Sequence, residues 1–289
     1  MNKMEGNLKN FIVKAIVHKE REEDIKKLVG ETYRIAKEGY RRSLEEWRKD
    51  TEGLNTILYR YGNGEKIEIN ELFREWVENL FNRARGAKNL NDDDRQRLKE
   101  LTRDFDPHYV KKNLSEDEIL YAIEGNGDKT ENKKNSNNRG HPGIAKAIKE
   151  SAKKFVSQEN KILEKIDKID RDGHNIHRKW IYVTCDRSGL VGVPTVGTAI
   201  FCSFLLRIGA KYVIKPDIVL KKLFCGAKGY ENDFSVFCIL DYISRVADMY
   251  PRTIDKIFWL VAAKSAVGNY VDRKTQEEWK AKMKECKFL

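Results

Sequence analysis

Few features of this chain could hold it together from outside a core or send it to a membrane. Its five cysteines, Cys185, Cys202, Cys225, Cys238 and Cys286, form no close pairs, and several lie in apolar runs. A free cysteine there behaves as a small hydrophobe, so a disulfide framework is not the organising device and a reducing, cytoplasmic setting fits best. No apolar run is long enough to span a bilayer and no signal peptide is read, so no membrane partner is expected. His174 and His177 are three apart but stand beside the turn-forming Asp172-Gly173, and no third ligand is fixed by spacing. No metal site is expected there. Clustered carboxylates of the kind a two-metal nuclease needs are also missing. Strand signals are few and no internal repeat is found, so the chain reads all-α.

What the chain has is charge and helical periodicity. Lys and Arg outnumber Asp and Glu by 56 to 45, a net charge of +11. Such an excess favours a polyanionic partner, because Lys and Arg neutralise phosphates and release counterions. A lysine-rich surface with no such partner has the same composition. At 289 residues the chain has room for one large domain or two small ones.

Taken in order, Leu8 to Trp47 is helical, with Phe11, Ile12, Ala15 and Ile16 on one face and Ile25, Leu28 and Val29 starting another. Leu54 to Tyr61 reads as helix or a short buried strand, ended by Gly62-Asn63-Gly64. Asn70 caps an amphipathic helix whose stripe is Leu72, Phe73, Trp76, Val77, Leu80 and Phe81. The acidic Asn91-Asp92-Asp93-Asp94 precedes Arg95, Leu98 and Leu101 at helical spacing, so it reads as a helix start rather than a metal site. Ser115 with Glu118 fits a capping box. Residues 125–143 are dominated by Asn, Lys, Gly and Ser and are expected to form a mobile polar loop. Basic helices follow at about 144–156 and 161–169, further helical stretches at 234–249 and 253–266, and a polar helix at 276–284.

The most informative stretch runs from Gly189 to Phe224. A turn carrying Gly192, Pro194 and Gly197 leads into a small-and-apolar run, Thr198 to Ile208, long enough for about three helical turns. Gly209 stands where a left-handed C-terminal cap would end that helix. Then come Pro216-Asp217 and a second amphipathic stretch, Ile218 to Phe224. By local physics Asp217 is a good N-cap, and phosphate is a natural ligand for a glycine-bounded turn entering a helix.

Together these segments resemble the helix-hairpin-helix signature of the endonuclease III-like DNA glycosylase superfamily. Val193-Pro194-Thr195-Val196-Gly197 matches its hairpin, with Thr195 in place of a glycine, and Lys215-Pro216-Asp217-Ile218-Val219-Leu220 matches its acidic segment. Asp217 follows Ala199 by eighteen positions, the separation the family expects. Tyr250 to Leu260 resembles the family's closing Pro-Arg-x-x-Asp turn and aromatic helix. The resemblance covers about Gly189 to Lys264. Ala199 stands where members with lyase activity carry a lysine, and Val219 where many relatives place a histidine.

The resemblance implies two helical subdomains with a DNA-binding cleft between them, and a monofunctional DNA N-glycosylase that flips out a damaged or modified base. Asp217 would be the catalytic carboxylate. Thr195, Val196, Gly197, Thr198, Lys215, Lys221 and Lys222 would contact DNA, and Trp180 and Tyr182 would line the base pocket. Lys215 in particular is expected at the phosphate surface. The partner would be double-stranded DNA, bound by a monomer. No cofactor is required, although a monovalent cation at the hairpin is allowed; the short cysteine spacings of an iron–sulfur cluster are missing. Residues 1–114 would form an N-terminal helical region, 115–270 the glycosylase-like domain and 271–289 a C-terminal helix. The alternative is a non-catalytic helix-hairpin-helix protein that only holds DNA, with Asp217 a mere cap.

Overall fold

The computed structural model describes residues 22–40, 42–83, 92–124, 141–159, 161–184, 196–225, 233–263 and 271–285, and helices are the only regular elements among them. In chain order these are α1 Glu22–Gly39, α2 Leu44–Glu52, α3 Ile57–Gly62, α4 Ile69–Arg83 and α5 Asp92–Leu101. Next are α6 Pro107–Asn113, α7 Glu116–Glu124, α8 His141–Ser157, α9 Ile162–Arg171 and α10 Ile176–Thr184. The last are α11 Thr198–Ile208, α12 Ile218–Cys225, α13 Asp233–Val246, α14 Pro251–Ala262 and α15 Arg273–Glu285. The all-α reading holds, and no helix among the described residues is long and apolar enough to cross a membrane.

Several expected boundaries are met by their physics. Ser115 and Glu118 form the reciprocal box: the Ser115 N–H donates to Glu118 Oε2 at 2.7 Å and the Glu118 N–H to Ser115 Oγ at 3.2 Å. Gly209 ends α11 at φ 113° in the left-handed region. Others move. The α4 helix begins one residue before Asn70, with the Glu68 carbonyl accepting the Glu71 and Leu72 N–H groups. His141 to Gly143, expected in the polar loop, form the first turn of α8, while 125–140 lie outside the described residues. The segment at 54–61 resolves as helix α3, and the apolar face at Phe11 to Ile16 lies outside the described residues.

The chain divides into two units, one split in sequence (Met1–Glu52 with Pro216–Leu289) and one continuous (Gly53–Lys215). These units divide the chain after Glu52 and after Lys215, whereas the sequence expectation places divisions near 114 and 270. In the split unit, α14 packs on α1 and α2. Arg252 donates from Nε to the Asp50 carbonyl at 2.9 Å and from Nη2 to the Lys49 carbonyl at 2.8 Å, and Thr253 Oγ1 donates to the Thr51 carbonyl at 2.8 Å. These bonds satisfy carbonyls at the open end of α2. The helix α15 belongs here too, because Trp279 is buried against Phe258 and its Nε1 donates to Thr32 Oγ1 at 2.8 Å.

The continuous unit is built on the expected α4 stripe, in which Leu72, Phe73, Trp76, Val77, Leu80 and Phe81 are all buried. Phe73 meets Phe155 of α8 edge-on at 5.1 Å, and Trp76 meets Phe204 of α11 at 5.0 Å. The indole N–H of Trp76 donates to Ser151 Oγ at 2.7 Å, so the polar edge of the ring is satisfied inside the core. Asn79 Nδ2 donates to the Ile200 carbonyl at 3.0 Å, fixing α11 against α4.

Candidate nucleic-acid interface

The start of α11 is an exposed glycine. Gly197 is the N-cap at φ −86° and ψ 171°, and its carbonyl accepts the Ile200 and Phe201 N–H groups at 3.1 Å. A Cβ at Gly197 would meet nothing within 4 Å. Backbone therefore lies open at the partially positive end of an eleven-residue helix, the geometry that suits an anion. Val196 and Thr198 on either side are buried and hold the turn to the core. Thr195 and the rest of the hairpin lie outside the described residues. The body of α11 is anchored by the buried Phe201, Cys202, Phe204, Leu205 and Ile208, and Arg207 pairs with Glu75 of α4.

The far end of α11 is tied down by a contact the sequence does not announce. The Gly209 and Ala210 N–H groups both reach back to the Leu205 carbonyl. Gly209 packs so closely on Thr56 and Gly53 that a Cβ there would overlap the Thr56 hydroxyl and lie 2.8 Å from its Cβ. Beyond it, Asp170 accepts the Lys211 and Tyr212 N–H groups at 2.9 and 2.8 Å. A carboxylate in the last turn of α9 is disfavoured by the helix dipole, and these two donors supply the compensation. Buried Lys179 donates to the Ile169 and Asp170 carbonyls at 2.7 and 3.2 Å and lies over the Tyr212 ring at 5.1 Å. The sequence does not announce these ties of Asp170 and Lys179. The signal for the first was an acid at a helix C-terminus.

Asp217 sits at the N-terminus of α12, half-buried. Its Oδ1 accepts the Val219 and Leu220 N–H groups at 3.0 and 3.1 Å, and its carbonyl accepts the Lys221 N–H at 2.9 Å. It is therefore an N-cap with a carboxylate in a defined orientation.

The other expected contact residues separate into distinct environments. Lys222 is exposed. Lys221 is paired with Asp233 at 2.5 Å, with only 16% of its side chain exposed. Lys215, expected at the phosphate surface, is instead buried at 7% exposure, because the chain runs inward from Val213 to Pro216. Trp180 is half-buried, whereas Tyr182 is buried against Phe201 at 5.8 Å between ring centres and is part of the core. His174 lies in the turn before α10 with its ring edge against Tyr212 at 5.1 Å, so it shares no helix with His177.

No family model, curated protein or solved structure matches this chain.

Proposed function

We propose that the protein is a monofunctional DNA N-glycosylase, acting as a monomer on double-stranded DNA and leaving an abasic site. The observation that carries the reading is Asp217, eighteen positions after Ala199, with its carboxylate aimed by two backbone N–H groups. The exposed N-terminus of α11 at Gly197 is a separate support, since a helix start of that kind can take a phosphate. In the reaction the bond between base and C1′ breaks, and its electron pair leaves with the base. The sugar then becomes cationic, and a carboxylate beside it stabilises that charge or orients the water that adds to C1′. Ala199 offers no amine for Schiff-base chemistry, so strand cleavage at that position is not part of the reading.

A second reading has its own observation. Asp217 Oδ1 already serves α12 as a cap, which is all that a DNA-holding protein without catalysis would ask of it. The two are separated by incubating the protein with duplexes carrying damaged purines, deaminated or mismatched bases, or hypermodified bases, then treating with hot alkali. Alkali-revealed breaks without nicking before alkali support the glycosylase. Binding with no abasic site on any duplex supports the passive module. Asp217→Asn should abolish release while leaving affinity equal or higher, and unchanged excision would remove Asp217 from the mechanism.

A further inference from the structure

The orientation of Asp217 depends on the first turn of α12, and that helix is short. Eight-residue helices are marginal alone and need outside ties. Leu220, Leu223 and Phe224 bury one side of it, with Phe224 against Phe258 at 5.5 Å. Apolar burial of this kind turns one face of the helix inward, but it is non-directional and does not hold the hydrogen bonds of the first turn. A directional tie is supplied by Lys221. Its N–H closes the first turn on the Asp217 carbonyl at 2.9 Å, and its ammonium reaches Asp233 Oδ1 at 2.5 Å, both side chains being mostly buried. Asp233 begins α13, where the helix dipole favours a carboxylate, so the acceptor end is itself fixed.

We infer that Asp233, acting through Lys221, is a positioning residue for Asp217: the ion pair pins the turn whose N–H groups aim the Asp217 carboxylate. This rests on the reading of Asp217 given above. It also withdraws the Lys221 ammonium from phosphate contact and leaves Lys222 as the exposed cation of α12.

The test compares the full-length protein with Asp233→Asn, Asp233→Glu and the exchanged pair Lys221→Glu/Asp233→Lys. Asparagine keeps the size and the helix-starting character of the position. Amide hydrogen exchange at Val219 and Leu220 reports the cap without reference to any activity. In Asp233→Asn those two amides should exchange roughly tenfold faster while the α14 core stays protected. Single-turnover base release should slow roughly tenfold at unchanged DNA affinity. Asp233→Glu and the exchanged pair should recover both. Unchanged exchange at Val219 and Leu220, or acceleration spread equally through α14, overturns the inference. A wild type that releases no base from any duplex instead overturns the catalytic reading, and the exchange data still decide what Asp233 does.

Discussion

Replacing Gly209 with alanine tests the close approach that ends α11. Gly209 has φ 113°, a region that costs an L-residue about 1–2 kcal/mol. A Cβ there would also overlap the Thr56 hydroxyl and lie 2.8 Å from the Thr56 Cβ. Thr56 is buried and its hydroxyl donates to the Gly53 carbonyl at 2.5 Å, so it has little room to yield. Overpacking of that sort costs about 1–3 kcal/mol more. The sum is roughly 2–5 kcal/mol, and a unit of this size loses roughly 2–4 °C in Tm per kcal/mol, so a fall near 10 °C is expected. Gly64→Ala separates the two contributions, because Gly64 has φ 85° but nothing within 4 Å of an added Cβ. It should lose only about 1 kcal/mol. Gly197→Ala, with φ −86° and open space, should be near neutral in stability. Thermal unfolding followed by far-UV circular dichroism reads all three. Equal losses at Gly209 and Gly64 would refute the packing of Gly209 on Thr56.

Asp50 provides a pH prediction. Burial alone would raise its carboxyl, but the Lys256 ammonium at 2.8 Å, the Tyr40 hydroxyl and the Arg252 charge outweigh it and hold the group below its usual range. Its contribution is then complete above the unfolded value of about 3.9 and is lost as pH falls through the lower folded value. Asp50→Asn should be less stable near neutrality yet lose less stability on acidification below about pH 4, and parallel urea-midpoint curves for the two proteins would refute the pairing. Trp279→Phe leaves the buried Thr32 hydroxyl without its indole donor and should cost about 1–2 kcal/mol, read as a lower urea midpoint. DNA affinity should fall steeply with salt; Lys222→Ala should reduce the slope by about one, while Lys221→Ala should leave it nearly unchanged. Equal slopes for the two variants would remove the distinction drawn between them.

Helix identity, caps and the apolar stripe of α4 were legible in the sequence because each is a local matter. The capping box at Ser115 and Glu118 spans one turn, the left-handed end at Gly209 needs one residue, and the burial of Leu72 to Phe81 follows from a 3.6-residue period. The N-cap role of Asp217 was legible for the same reason, since its partners are two and three residues away. What only the tertiary structure decided is pairing at long range. Thr32 meets Trp279 and Asp50 meets Arg252 across more than two hundred residues, and these contacts join the chain up to Glu52 with the chain from Pro216 onward in one unit. The fates of the lysines were decided there too. Lys179 lies beneath Tyr212, Lys215 is buried, Lys221 is paired and Lys222 is exposed. A charged side chain reads the same in sequence whether it faces water or a carboxylate, and the difference is made by whatever distant element the fold brings beside it.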